Sequence, residues 1–223
     1  MMRRSLRDDR GFTLVELLVT MSILSVVMAL ITGSVIFLQR SINETDQRLD
    51  DLAQSRLAMD ATTMWLRGAV TIAGDSTTGG RQPFTLTQRR RVDFFSNVRT
   101  TDASGDPAPQ RVRLEVINGG QLQERVWSGR IIANGSWVQT GAPRTRIIAR
   151  GISDDQPFTY FDADANEITP SSEGNLSQAQ REAVRYVGIN VVVQQDPGVD
   201  VPPSQLSSRV ALPNLFYDSW DGS

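Results

Sequence analysis

Few side chains here could do covalent chemistry. The 223 residues include no histidine and no cysteine, and all 23 basic residues are arginine. Without histidine there is no Ser-His-Asp catalysis, no imidazole base and little scope for zinc. Without lysine there are no Schiff-base or Ser-Lys mechanisms, and without cysteine no disulfides or thiolate metal sites. Carboxylates, tyrosines and hydroxyls remain, and the sequence places no two acids across a cleft as a glycosidase requires. An enzyme is not expected. The most informative acid is Glu16, near the start of an apolar run that lasts to Leu38. A carboxylate at membrane depth is costly and is kept there for a partner or a role.

Two other groups invite a ligand. Asp162, Asp164 and Asn166, with Glu173 further on, have the one, three, five and twelve spacing of a calcium loop. Glu167 stands where that loop needs its sharp-turn glycine. The preferred reading is a hairpin tip of turn-forming Asp and Asn with no cofactor; calcium is the alternative. Arg89, Arg90 and Arg91 could touch nucleic-acid phosphates, but a solvated loop edge is preferred. Formal net charge is −2. The leader contributes +2, from Arg3, Arg4, Arg7 and Arg10 against Asp8 and Asp9, which leaves −4 for Phe12 onward. That balance does not suit a strongly basic binder, so nucleic acid is not expected as a direct ligand.

The apolar run needs a long helix. Leu17 to Leu38 is 22 residues without a charge, about 33 Å of helix, enough to cross the hydrocarbon core. The arginines precede it, which favours a cytoplasmic leader and an exported C-terminal part. A secretory signal cut after Val27-Met28-Ala29 is a competing reading, but the run continues past that point and Glu16 would interrupt the signal. A plain uncleaved anchor and a buried soluble helix compete as well; the run is too long and its flanks too one-sided for the second.

The string Arg10-Gly11-Phe12-Thr13-Leu14-Val15-Glu16-Leu17, after a short basic leader and before such a run, resembles the signal of type IV pilins and type II secretion pseudopilins. The resemblance implies cleavage after Gly11 by a prepilin peptidase and methylation of the new N-terminal Phe12. It implies that Glu16 pairs with the N-terminal amine of a neighbouring subunit, an attraction that low dielectric strengthens. The implied partners are that peptidase, other pilins or pseudopilins through the N-terminal helix, and an inner-membrane assembly platform. The implied location is the bacterial cytoplasmic membrane in a single pass, with the C-terminal domain outside, and then a pilus or pseudopilus. Weaker similarities to W-type minor pilins and J-type minor pseudopilins lie in Gln54 to Val70, Phe158 to Asp162, Ala183 to Ile189 and Ser208 to Leu215. They imply a minor subunit that helps start or cap a filament. A membrane-anchored extracytoplasmic binding protein that never polymerises is the alternative.

The rest of the chain must fold behind this helix. From Ser41 an amphipathic stripe of Ile42, Leu49, Leu52, Met59 and Leu66, widened by Met64, Trp65 and Val70, predicts that the helix continues to Ala73-Gly74-Asp75. Thr32-Gly33-Ser34 is its weakest point in the membrane half. Beyond Gly80 the period becomes two. Strands are expected over Arg91–Phe95, Arg111–Ile117, Gln121–Trp127, Ser136–Gln139, Thr145–Arg150, Phe158–Asp162, Arg185–Gln194 and Ser208–Leu212, with a hairpin turn at Asn118-Gly119-Gly120. Trp127 and Trp137 read as hairpin core or cross-strand partners. Phe216, Tyr217 and Trp220 either pin the tail to the sheet or dock a neighbour. The expected fold is α+β: a leader over 1–11, a filament-core helix over 12–40, an amphipathic extension over 41–75, and an antiparallel β-rich domain over 76–223.

Overall fold

The computed structural model describes residues 13–72, 83–98, 109–132, 137–170, 174–194 and 202–217. Two compact units divide the chain, residues 1–46 and 47–223. One helix, α1 (Leu14–Arg67), runs through both.

In the first unit α1 begins on a cap. The Thr13 hydroxyl accepts the Glu16 N–H at 3.2 Å and the Thr13 carbonyl accepts the Leu17 N–H at 3.1 Å. Thr-x-x-Glu is the pattern of a capping box. The apolar stretch that follows is unbroken through Gly33 and has a mean hydropathy of 2.5, with none of it buried in the protein. Its hydroxyls turn inward on the helix. Thr20, Ser22, Ser25 and Ser34 donate to the carbonyls of Leu17, Leu18, Ser22 and Leu30 at 2.8–2.9 Å. Donors satisfied in this way suit hydrocarbon, which has no water to offer.

In the second unit the buried face of α1 is not the expected stripe. Ile42 and Leu49 are exposed, at 58% and 60%, and the buried residues are Asp51, Ser55, Ala58, Thr62, Trp65 and Leu66. These recur at four and three, so the helical period is as expected. The face that wins puts Ala58, Trp65 and Leu66 into the core, with Asp51, Ser55 and Thr62 buried beside them. Trp65 and Leu66 belong to both stripes; Leu52, Met59, Met64 and Val70 of the expected stripe are half-buried.

The helix also ends earlier than Ala73-Gly74-Asp75, at Arg67. At Gly68 a Cβ would lie 2.2 Å from Val98 Cγ2, so only glycine allows this approach. The chain then runs beside the second strand. Asn97 N–H bonds the Gly68 carbonyl at 2.7 Å, and Val70 N–H bonds the Phe95 carbonyl at 2.9 Å. Pairing with the sheet replaces the helical ladder there. The segment 73–82 lies outside the described residues.

The strands are β1 (Phe84–Thr87), β2 (Arg91–Ser96), β3 (Gln110–Ile117), β4 (Gln121–Trp127), β5 (Gly129–Ile131), β6 (Trp137–Gln139), β7 (Arg144–Ala149), β8 (Phe158–Phe161), β9 (Tyr186–Val193) and β10 (Ser204–Ala211). They form three antiparallel sheets, in the orders β1-β2-β3-β4-β7, β10-β9-β8 and β5-β6. Alternation fixes the inner face of the large sheet as Val92, Phe94, Val112, Leu114, Val116, Leu122 and Val126, all buried. The β3–β4 turn needs its glycines: Gly119 and Gly120 have φ of 82° and 65°, and a Cβ on Gly120 would meet the Ile152 carbonyl at 2.4 Å. Tyr160 and Phe84 join the second sheet to the first, their rings edge-to-face at 6.4 Å.

Several elements exceed what local sequence predicts. Strand β1 has no expected counterpart. β10 starts at Ser204, immediately after Pro202 and Pro203, which lack ladder donors. A short helix α2 (Gln178–Ala183) opens on a Ser177–Gln180 capping box. A last turn, α3 (Pro213–Tyr217), starts where Pro213 takes the first helical position.

The small-residue face can be tested directly. Ala58→Leu should overpack the helix–sheet contact and lower stability by about 1–3 kcal/mol. Leu49→Ala should change it by less than about 0.5 kcal/mol, despite removing the larger apolar group. Denaturant unfolding of the detergent-solubilised chain is the measurement.

Candidate functional site

The N-terminal end of α1 holds the first site residue. Glu16 sits in its first turn, exposed, with no partner for its carboxylate among the described residues. Capping by Thr13 fixes where Glu16 stands in the first turn. Gly11 and Phe12, the residues of the implied cleavage, lie outside the described residues, as does the rest of the leader.

A second carboxylate ties the end of α1 to the domain. Glu124, on the inner face of β4, is 1% exposed. The Trp65 indole N–H donates to its Oε2 at 2.6 Å. Arg146 on β7 donates its Nε to Oε1 at 2.8 Å and a terminal nitrogen to Oε2 at 2.9 Å. The pair holds the Arg146 pKa above its ordinary value, through the hydrogen bond first and the charge second. Ser96 adds a bond from its hydroxyl to the Trp65 carbonyl at 2.8 Å. The helix thus meets the sheet through a polar latch set in apolar packing.

A third carboxylate, Asp93, points to the opposite face of the same sheet and is fully buried. Arg113 grips it with Nε at 2.8 Å to Oδ1 and a terminal nitrogen at 2.8 Å to Oδ2. Arg111 adds a bond at 3.1 Å and Arg91 one at 3.3 Å. Nearby, the Tyr160 phenol donates to the Gln88 carbonyl at 2.8 Å. Burial chiefly, and then the Asp93 charge, push its pKa well above the ordinary value. Because the folded value is raised, this stability is whole below about pH 10 and is lost as pH rises beyond it.

The remaining candidates are more ordinary. Asp162 Oδ1 accepts the backbone N–H of Asp164 and of Asn166, each at 2.9 Å, and Oδ2 accepts the Asn166 side-chain amide at 3.2 Å. The Asn166 backbone amide is the main cause of a lowered Asp162 pKa. Ala165 takes the left-handed conformation at φ 63°, and Phe161 bridges Glu167. The loop is a self-bonded turn; Glu173 lies outside the described residues. Among the described residues no three acidic side chains come together as metal ligands. The run Arg89 to Arg91 is dispersed: Arg90 pairs with Asp155 at 2.8 Å, Arg91 faces Asp93, and Arg89 is exposed. Trp137 packs edge-to-face on Phe95 at 5.3 Å and its indole donates to the Pro109 carbonyl. Phe216 packs on Tyr186 at 5.5 Å, pinning α3 to β9. The Tyr217 side chain and Trp220 lie outside the described residues.

Sequence reading misses both carboxylate latches. A signal exists: Glu124 and Asp93 break the alternation of otherwise apolar inward positions or sit among arginines two residues apart. The cap at Thr13 is legible as Thr-x-x-Glu.

Residues 6–32 match the prokaryotic N-terminal methylation motif. No curated protein matches the chain. The chain therefore carries the N-terminal signature of the type IV pilin and pseudopilin class, on a pilin-like α+β fold. That signature supports a pilin-type filament subunit, and in such proteins it implies processing by a prepilin peptidase and assembly with other pilins.

The latch gives a graded expectation. Arg146→Met should cost about 3 kcal/mol, because Glu124 stays buried with a single donor. Glu124→Gln should cost less, about 1–3 kcal/mol, since half-exposed Arg146 can turn to water. Replacing all three, with Glu124→Leu, Arg146→Met and Trp65→Phe, should recover most of the loss. Unfolding midpoints of the three variants check the order.

Proposed function

We propose that this chain is a minor pilin or minor pseudopilin that helps start or cap a filament. The supporting observation is the methylation motif over residues 6–32 leading into an apolar helix whose capped first turn carries Glu16. In this reading residues 1–11 are removed and Phe12 gains a methyl group. The helix from Phe12 to about residue 40 is held in the cytoplasmic membrane, and the domain that follows faces outward. The similarity to W-type and J-type minor subunits supports the minor role.

The mechanism follows from the polar accounting of the helix. The hydroxyls of Thr20, Ser22, Ser25 and Ser34 are closed on its own carbonyls, so they ask nothing of a neighbour. Glu16 is different. In the bilayer it is a carboxylate in need of a cation, and the Phe12 amine of an adjacent subunit is one. Docking on another subunit relieves the cost of keeping Glu16 in lipid. A non-polymerising anchored binding protein would need neither Glu16 nor a processed Phe12. No cofactor is proposed, since the Asp162 oxygens are occupied by amides of their own loop.

Two measurements test this. Intact mass of the membrane-extracted protein should place the N-terminus at Phe12 with one added methyl; a start at Leu30 would establish a secretory signal instead. Glu16→Ala should leave cleavage and membrane insertion intact and prevent co-purification with sheared filaments. In those filaments the wild-type chain should be scarce relative to the main subunit. Wild-type recovery of the Glu16 variant would overturn the pairing, and dominance of this chain would overturn the minor role.

A further inference from the structure

The outer face of the five-stranded sheet carries more positive charge than its own carboxylates neutralise. Arg91, Arg111, Arg113 and Arg125 share it with Asp93 and Glu115, and two positive charges are left over. The register adds to the excess: Arg113 lies directly opposite Arg125 on the neighbouring strand. Like charges so placed are unfavourable unless something answers them. Asp93 answers Arg113, Arg111 and Arg91. Nothing described answers Arg125 except the Gln123 amide oxygen at 3.1 Å.

The arginines are also partly dehydrated. The side chains of Arg111 and Arg113 are 34% and 16% exposed. The Nε atoms of Arg111 and Arg125 are buried and have no hydrogen-bond partner among the described residues. Trp127 fixes the arrangement. The guanidiniums of Arg113, Arg111 and Arg125 lie 5.1, 5.4 and 5.9 Å from its ring centre. Guanidiniums held over an aromatic face are ordered for a planar anion; Arg113 already spends its fork on Asp93, which leaves the terminal nitrogens of Arg125 and Arg111 to meet one.

We propose that this face is a docking surface for an acidic segment of a neighbouring protein subunit, whose carboxylates are read by Arg125 and Arg111. A polypeptide suits the site better than a phosphate chain does. The β5–β6 hairpin follows directly from Trp127 and packs on the same face through Trp137 and Phe95. It exposes Ile131, Ile132 and Val138 at 47%, 37% and 41%. An apolar rim beside a carboxylate reader matches mixed acidic and apolar side chains; a phosphate backbone has nothing to place there. That the partner is another filament subunit rests on the function proposed above; recognition of an acidic peptide does not.

The test uses the full chain in detergent and a fluorescent peptide of alternating glutamate and leucine. The peptide should bind, and more weakly as salt rises from about 50 to 200 mM. Arg125→Glu should weaken binding at least about tenfold while the melting temperature holds, because Arg125 makes no bond to Asp93. Arg125→Gln should fall between. Equal binding by Arg125→Glu and wild type would overturn the proposal. So would competition by inorganic phosphate or oligothymidylate as strong as by the unlabelled peptide, which would make the face a general oxyanion or nucleic-acid surface. The loop between β2 and β3 carries Asp102 and Asp106. Markedly tighter peptide binding by a variant with both changed to asparagine would overturn it too, by making the chain's own loop the occupant. Peptide binding is read on the isolated protein and filament entry on the Glu16 variant, so either result can fail alone.

Discussion

The domain is organised around one buried carboxylate. Glu124 sits on the inner face of β4, where Val112, Leu114 and Val126 would otherwise make a dry core. A charge there is tolerable only because three N–H donors converge on it, one from Trp65 and two from Arg146. The two donor residues come from different elements, the end of α1 and the strand β7. An apolar contact would hold helix and sheet together equally well at several rotations. The indole N–H reaches Glu124 at one rotation and one height, so the latch selects a register rather than adding net stability. Ser55, Ala58 and Thr62 are buried on the same side of α1, and the Trp65 indole with the Ser96 bond to the Trp65 carbonyl ties that end of the helix to the sheet.

The same sheet repeats the device on its other side with Asp93. The two faces differ in their balance. On the inner face one carboxylate meets one guanidinium and the charge closes. On the outer face three guanidiniums converge on one carboxylate, with a fourth beside them. Arginine makes both arrangements possible. Its planar fork gives two parallel bonds to a carboxylate and still stacks on Trp127, which a lysine ammonium cannot do. Exclusive use of arginine thus has a structural consequence in this fold, whatever its origin.

How much of this is legible in the sequence depends on the range of the interaction. The long apolar helix, the hairpin at Asn118-Gly119-Gly120 and the strands with strict alternation rest on local period and local turn chemistry, and the structure has them within a residue or two. Two features of α1 do not follow from local rules. The stripe of Ile42, Leu49 and Leu52 has the stronger apolar signal, yet Ser55, Ala58 and Thr62 are the buried positions, because burial is decided by the partner surface and not by the helix alone. Gly74 looks like the stop, yet Gly68 ends the helix, because Ser96 and Val98 arrive from β2 at that point. Arg91, Arg111 and Arg113 read as unrelated charges until strand pairing places them around Asp93. Short elements with weak propensity, such as β1 and the serine-rich start of β10, depend on neighbours for the same reason.

A chain that closes its polar groups on itself has little reason to associate. This one does so almost everywhere described. The hydroxyls of the apolar helix bond its own carbonyls, Glu124 and Asp93 have their arginines, and Asp162 has the amides of its turn. Among the described residues, Glu16 in the first turn of α1 and Arg125 over Trp127 stand without an opposite charge. They have opposite charge. One is a carboxylate in a lipid-length helix and needs a cation at that depth. The other is a half-dehydrated cationic surface on the domain and needs an anion beside an apolar rim. A subunit that joins a bundle by its helix and a neighbour by its domain would leave such a pair of imbalances when seen alone.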